Sequence, residues 1–110
     1  MGSAMNSPRV TIGVPVCNGE SELEACLACL SNQTFRDLAI IVYDNASTDR
    51  TPEIVAAAMR KDSRISYFRH DTNIGALANF SAVLAAARSP YFMWRAFDDL
   101  SDLAYVERLV

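Results

Sequence analysis

Leu38-Ala39-Ile40-Ile41-Val42-Tyr43 is apolar without alternation and β-branched at its centre, and Asp44 follows it at once. A strand that is apolar on both sides is one covered on both faces, as in a parallel sheet flanked by helices. Upstream, Arg9 to Val14 alternates Val10, Ile12 and Val14 and then meets Pro15, which cannot donate to a ladder and is expected to stop the strand. Between these strands Leu23, Leu27 and Leu30 fall on one helical stripe running from Glu22 to near Asn32, with Ser21 as its cap. Downstream, Thr51-Pro52 offers a cap and a first-turn proline for a second helix that turns Ile54, Val55, Ala58 and Met59 inward. Ile65 to Phe68 reads as a third strand, and Leu77, Phe80 and Leu84 as the stripe of a third helix. Ser89-Pro90 breaks that helix, and Tyr91 to Phe97 reads as a fourth strand running into Asp98-Asp99.

The four strands begin near residues 10, 39, 65 and 91, intervals of 26 to 29 residues that each hold a strand, a crossover helix and two short loops. Right-handed crossovers then build an α/β fold: an open, parallel, Rossmann-like sheet in the order 3-2-1-4 with helices on both faces. Residues 1–8 are set aside, because Met1-Gly2-Ser3-Ala4-Met5 has the small-residue look of an expression scar. Residues 9–110 are read as one unit. A fourth helix starting near Ser101 or Asp102 carries Leu103, Val106 and Val110 with no terminator after it, so the chain is expected to be the amino-terminal part of a larger domain. Its fourth strand would leave an unpaired edge through which the chain could self-associate.

At 110 residues, 51% hydrophobic and 21% charged, the chain has the composition of one globular domain that folds without disulfides or metal. Thirteen acidic and ten scattered basic residues give a net charge of -3, which argues against nucleic acid as a partner. The longest apolar runs are far short of the ~20 residues that span a bilayer, so no transmembrane segment is expected. Three cysteines and no leader-like opening favour a reducing, cytoplasmic setting, membrane-peripheral at most. Cys26 and Cys29 have C-x-x-C spacing but lie inside a helix beside Leu27 and Leu30, which favours packing over redox chemistry. His70 is read as a loop residue with a minor prospect of touching a ligand, and Trp94 as core rather than a sugar platform. Arg95, if buried, would need a carboxylate partner.

In open parallel sheets ligands bind beyond the carboxyl ends of the strands, where the winding reverses. Every such position here is polar: Cys17, Asn18, Gly19 and Glu20 after strand one, Asp44, Asn45 and Ser47 after strand two, Asp71 and Asn73 after strand three, Asp98 and Asp99 after strand four. The four aspartates among them, at one sheet edge, would repel an anion unless a divalent cation neutralised them, and all-oxygen ligands suit Mg²⁺ or Mn²⁺. A metal-bridged diphosphate fits that pattern. Two plainer readings stand beside it: adjacent aspartates also favour a helix N-terminus by about 0.3 to 1 kcal/mol each, and Asp44 could close its strand in an Asx-turn.

The run Val14-Pro15-Val16-Cys17-Asn18-Gly19-Glu20, then Leu30-Ser31-Asn32-Gln33-Thr34, then Val42 to Thr51, then Asn73-Ile74-Gly75 with Asn79, then Asp98-Asp99, resembles the family 2 glycosyltransferases of GT-A fold. The likeness covers residues 9 to 110 and corresponds to the nucleotide-sugar-binding half of that domain. It implies transfer of a sugar from a nucleoside diphosphate sugar, a UDP-sugar first among them, to an acceptor glycan or lipid-linked sugar, with inversion. It implies that Pro15, Val16, Asn18, Glu20, Asn73 and Asp98 bind the nucleotide sugar, and that Asp44 accepts a hydrogen bond from the base. Asp99, with Asp98, is implied as the ligand of a catalytic divalent ion, Mn²⁺ or Mg²⁺. Cys17 stands where the family most often has tyrosine, and the family's acceptor-deprotonating carboxylate lies in the later half of its domain.

A nicotinamide dehydrogenase would want G-x-G-x-x-G after strand one, where only Gly19 is found. A non-catalytic nucleotide-binding or interaction module is the competing expectation, with a folding unit that binds nothing as a third.

Overall fold

The computed structural model describes residues 8–97 and residue 106. The elements are β1 (Val10–Val16), α1 (Leu23–Ser31), β2 (Leu38–Asp44), α2 (Thr51–Lys61), β3 (Ile65–Arg69), α3 (Ala76–Ala86) and β4 (Tyr91–Trp94). They form a four-stranded parallel sheet in the order β3-β2-β1-β4, the topology expected from the strand spacing. The winding reverses between β1 and β4, which places the crevice of such a sheet at the end of β1.

One face of the sheet carries the main core. Val10, Ile12, Val14 and Val16 of β1 and Leu38, Ile40 and Val42 of β2 meet Leu23, Cys26, Leu27 and Leu30 of α1 and Val55 of α2. Each large side chain buried there contributes about 1.5–3 kcal/mol relative to exposure. Cys26 is part of this core, and no disulfide joins Cys26 to Cys29.

On the opposite face α3 crosses β1 so closely that a Cβ on Gly13 would lie 2.3 Å from Val83. Helix α3 packs mainly against β1 and β2. Burial along β2 therefore alternates: Leu38, Ile40, Val42 and Asp44 are buried, whereas Ala39, Ile41 and Tyr43 are half-buried, so β2 is fully covered on one face only.

Four local expectations change. Strand β1 runs through Pro15, which pairs with Tyr43. Arg95 N–H donates to Gly13 O, so the odd residues of β1 face β4, and β4 has ended before it reaches Pro15; the missing N–H forfeits no ladder bond. Ser21 does not cap α1; the Gly19 carbonyl accepts from the N–H groups of Glu22 and Leu23 instead. Helix α3 turns Asn79 and Val83 inward and leaves Leu77 82% exposed, with Phe80 and Leu84 also outward. Nearly every α3 residue is apolar or small, so periodicity did not choose its face; the gap at Gly13 and the hydrogen bonds of Asn79 did. Finally, β4 ends at Trp94, which is 41% exposed and stacked on Phe80 with ring centroids 4.9 Å apart rather than buried in the core. The fourth helix and Asp98-Asp99 lie outside the described residues, apart from Val106, which is helical and buried.

Candidate functional site

The loops after β1 and β2 hold each other through reciprocal hydrogen bonds. Asn18 N–H donates to Ser47 Oγ at 2.8 Å, Gly19 N–H to Thr51 Oγ1 at 2.9 Å and Glu20 N–H to Asp49 Oδ2 at 3.0 Å. In return Thr48 N–H donates to Asn18 Oδ1 at 2.8 Å and Arg50 N–H to Glu20 Oε1 at 3.1 Å. Asn18 adopts a left-handed φ of 55°, which an asparagine tolerates. Asn18 and Glu20, implied as ligand-binding residues, thus have their side chains engaged in this brace. Asp49 also accepts from Thr51 N–H and Thr51 Oγ1, taking the capping role expected of Thr51. Burial raises the Asp49 carboxyl, but the bonds from Thr51 and Glu20 outweigh it and hold the group below its ordinary value.

Asp44 lies under this brace and is 0% exposed. Its Oδ1 accepts from Ser47 N–H at 2.9 Å and from the Ser47 hydroxyl, and its Oδ2 from the Tyr67 hydroxyl at 2.6 Å, with Arg69 Nε 3.9 Å away. Arg69 also donates to Ser47 O at 2.7 Å. The arrangement closes the turn after β2, with both Asp44 oxygens hydrogen-bonded inside the protein.

A recess of about 230 Å³ opens at the switch point, lined by Pro15, Val16, Cys17, Asn45, Asn73, Ala76, Phe80 and Phe97. The structure therefore brings Pro15, Val16 and Asn73 together around one recess. It adds Asn45, whose N–H donates to Val16 O at 2.8 Å and whose side chain reaches Asn73 and Gly75. Phe80 and Phe97 were missed as lining residues; only the crossing of α3 over β1 and the turn after β4 reveal them. Phe80 gives the recess an aromatic wall, backed by Trp94. His70 does not line it: its Nε2 lies 2.8 Å from Asn79 Oδ1, and Asn79 Nδ2 donates to Tyr43 O. Asp71 is exposed, Arg95 is buried, and Asp98 and Asp99 lie outside the described residues.

A larger groove of about 900 Å³ runs between α1 and α2, floored by Leu27, Ala28, Ile54 and Ala58. It lies on the flank of the sheet, away from most of the polar residues at the strand ends, so the smaller recess is the better candidate. Among the described residues no group of three His, Cys, Asp or Glu could hold a metal ion. None of their helices is long and apolar enough to cross a membrane.

These features define an open parallel α/β domain of GT-A type with a small polar and aromatic recess at its switch point. The chain belongs to glycosyl transferase family 2, whose model matches residues 11–110. An uncharacterized glycosyltransferase of Haemophilus influenzae is 35% identical over 96 residues, covering 86% of this chain and 38% of the relative. Staphylococcus aureus TarS 1-349 in complex with UDP-GlcNAc superposes with a TM-score of 0.85 at 23% identity, covering 92% of this chain and 30% of that one. The mannosyltransferase PcManGT of Pyrobaculum calidifontis, in complex with GDP-Man and Mn²⁺, gives a TM-score of 0.78 at 26% identity, covering 84% and 28%. The chain thus spans about a third of the length of each of these three proteins.

Proposed function

We propose that this chain forms the donor-binding part of a glycosyltransferase that moves a sugar from a nucleoside diphosphate sugar to an acceptor hydroxyl, with inversion at the anomeric carbon. The observation that carries the reading is the recess at the switch point, where Pro15, Val16, Cys17, Asn45 and Asn73 converge beside an aromatic wall. A flat heterocycle gains contact with Phe80 there while its polar edge meets the amides. The loop brace supports this role by fixing the end of β1.

Asp98 and Asp99 are the proposed holders of a divalent cation, Mn²⁺ or Mg²⁺. Adjacent carboxylates form an all-oxygen donor set that suits either ion, and they directly follow Phe97, which lines the recess. When bound, such an ion supplies charge neutralisation for the departing diphosphate. The acceptor, a glycan or lipid-linked sugar, and a cytoplasmic, membrane-peripheral setting belong to the same proposal. Thermal melting tests it: UDP should raise the melting temperature, and raise it further with Mn²⁺. Asp99→Ala should remove the metal-dependent increment and keep the rest. No shift with any nucleoside diphosphate would overturn the reading.

A second reading has its own observation. Leu77, Leu84, Tyr91 and Trp94 expose apolar surface beside β4, an edge strand among the described residues. Self-association through this edge would appear as a concentration-dependent sedimentation coefficient that Leu77→Lys abolishes.

A further inference from the structure

Hydrogen bonding around Asn45 and Asn73 fixes which polar group faces the recess. Backbone N–H groups only donate, so the two that point into this cluster orient both amides without ambiguity. Ile74 N–H lies 2.9 Å from Asn45 Oδ1, which turns Asn45 Nδ2 toward Asn73 Oδ1 at 3.0 Å and Gly75 O at 3.2 Å. Gly75 N–H donates to the same Asn73 Oδ1 at 2.8 Å. Asn73 Oδ1 therefore receives two donors and has no lone pair left for a ligand. Its Nδ2 is turned the other way, 3.7 Å from Cys17 Sγ, whose thiol is itself directed at Asn45 O. Only one of the two amide hydrogens is used in that weak contact. The second has no partner among the described residues.

We infer that Asn73, held by Asn45 and Gly75 with its amide nitrogen outward, makes the recess selective for a base that presents a carbonyl oxygen, uracil or guanine, over one that presents an exocyclic amine there, cytosine or adenine. This rests on the nucleotide reading above and adds a preference to it. Uracil and cytosine isolate the effect, since they share size and shape and differ where a carbonyl is replaced by an amine. An amide donor facing the carbonyl gains a hydrogen bond; facing the amine, it meets another donor and both lose their water.

Calorimetric titration of the whole chain with UDP, CDP, GDP and ADP at one fixed Mn²⁺ concentration tests this. UDP should bind about five- to tenfold more tightly than CDP, the worth of one hydrogen bond, and GDP more tightly than ADP. The order of UDP and GDP then tells uracil from guanine. Asn73→Asp keeps an oxygen for Gly75 N–H and Asn45 Nδ2 but replaces the outward donor with an acceptor. Its added charge weakens all four ligands alike, so the UDP to CDP ratio is the reading, and it should fall to one or invert. Asn73→Ala, which removes the donor without adding charge, should bring the two to parity. Equal affinities in the native chain, or an unchanged ratio in Asn73→Asp, would overturn the selectivity while leaving nucleotide binding standing. Binding of none of the four would remove both.

Discussion

The Tyr67 hydroxyl donates to Asp44 Oδ2 at 2.6 Å across the β2–β3 ladder, in which Val42 pairs with Tyr67 and Asp44 with Arg69. Burial first, then the hydrogen bond and the charge of Asp44, push the Tyr67 phenol well above its ordinary value of 10.0. A group whose folded pKa lies above its unfolded one contributes stability that is complete below the unfolded value and lost as pH climbs toward the folded one. One of the four tyrosines should therefore resist ionisation in an alkaline absorbance titration until the chain unfolds. Tyr67→Phe should remove that late step and flatten the stability loss above about pH 10.

Asp44→Ala should cost about 3 kcal/mol in urea denaturation, because the Ser47 and Tyr67 donors lose their buried acceptor together. Asp44→Asn retains one oxygen and should cost about half as much. Since Asp44 is sealed beneath the loop brace, the folded Asp44→Asn chain should keep its nucleotide affinity. A selective loss of affinity would support the direct base contact that the resemblance implied.

Ala46 sits at φ 60°, in the left-handed region where a Cβ crowds the following carbonyl. Ala46→Gly should therefore stabilise the chain by about 0.5–1 kcal/mol, the relieved strain outweighing the added freedom of the unfolded chain. Gly75 gives the converse. Its φ is 91° with nothing within 4 Å of a Cβ placed there, so Gly75→Ala should destabilise through backbone strain alone. Thermal melts of the two variants should move in opposite directions.

Topology was legible in the sequence because it depends on strand spacing and apolar content, which survive local errors: β1 running through Pro15 leaves the strand order untouched. The face of α3 was not legible, since Leu77, Phe80 and Leu84 are as periodic as Val83 and its neighbours. Only Gly13, on another element, admits Val83. The site divides along the same line. Pro15, Val16 and Asn73 follow from position after a strand. Asn18 and Glu20 share that position yet bond the loop after β2, and Asp44 bonds Ser47 and Tyr67, because polar side chains at strand ends serve both ligands and turns. Which of the two a residue serves depends on partners about 30 residues away in sequence, such as Asn18 with Thr48 and Glu20 with Arg50.

Gly19→Ala tests whether the turn after β4 is positioned through the end of β1. A Cβ on Gly19 would lie 2.6 Å from Val16 Cγ2 and 2.8 Å from Phe97 Cδ2. Gly19 cannot recoil readily, because its N–H is held by Thr51 Oγ1 and its carbonyl accepts from Glu22 and Leu23. Val16 is core, so Phe97, half-buried at the recess wall, is the side chain that must move. The overlap should cost about 1–3 kcal/mol of stability. Phe97 directly precedes Asp98-Asp99, so nucleotide affinity and its Mn²⁺-dependent part should fall together. Gly13→Ala is the control, with a comparable overlap against Val83 and Phe92 instead. It should lose similar stability but much less nucleotide affinity; an equal loss in both variants would show that affinity tracks general stability rather than the placement of Phe97.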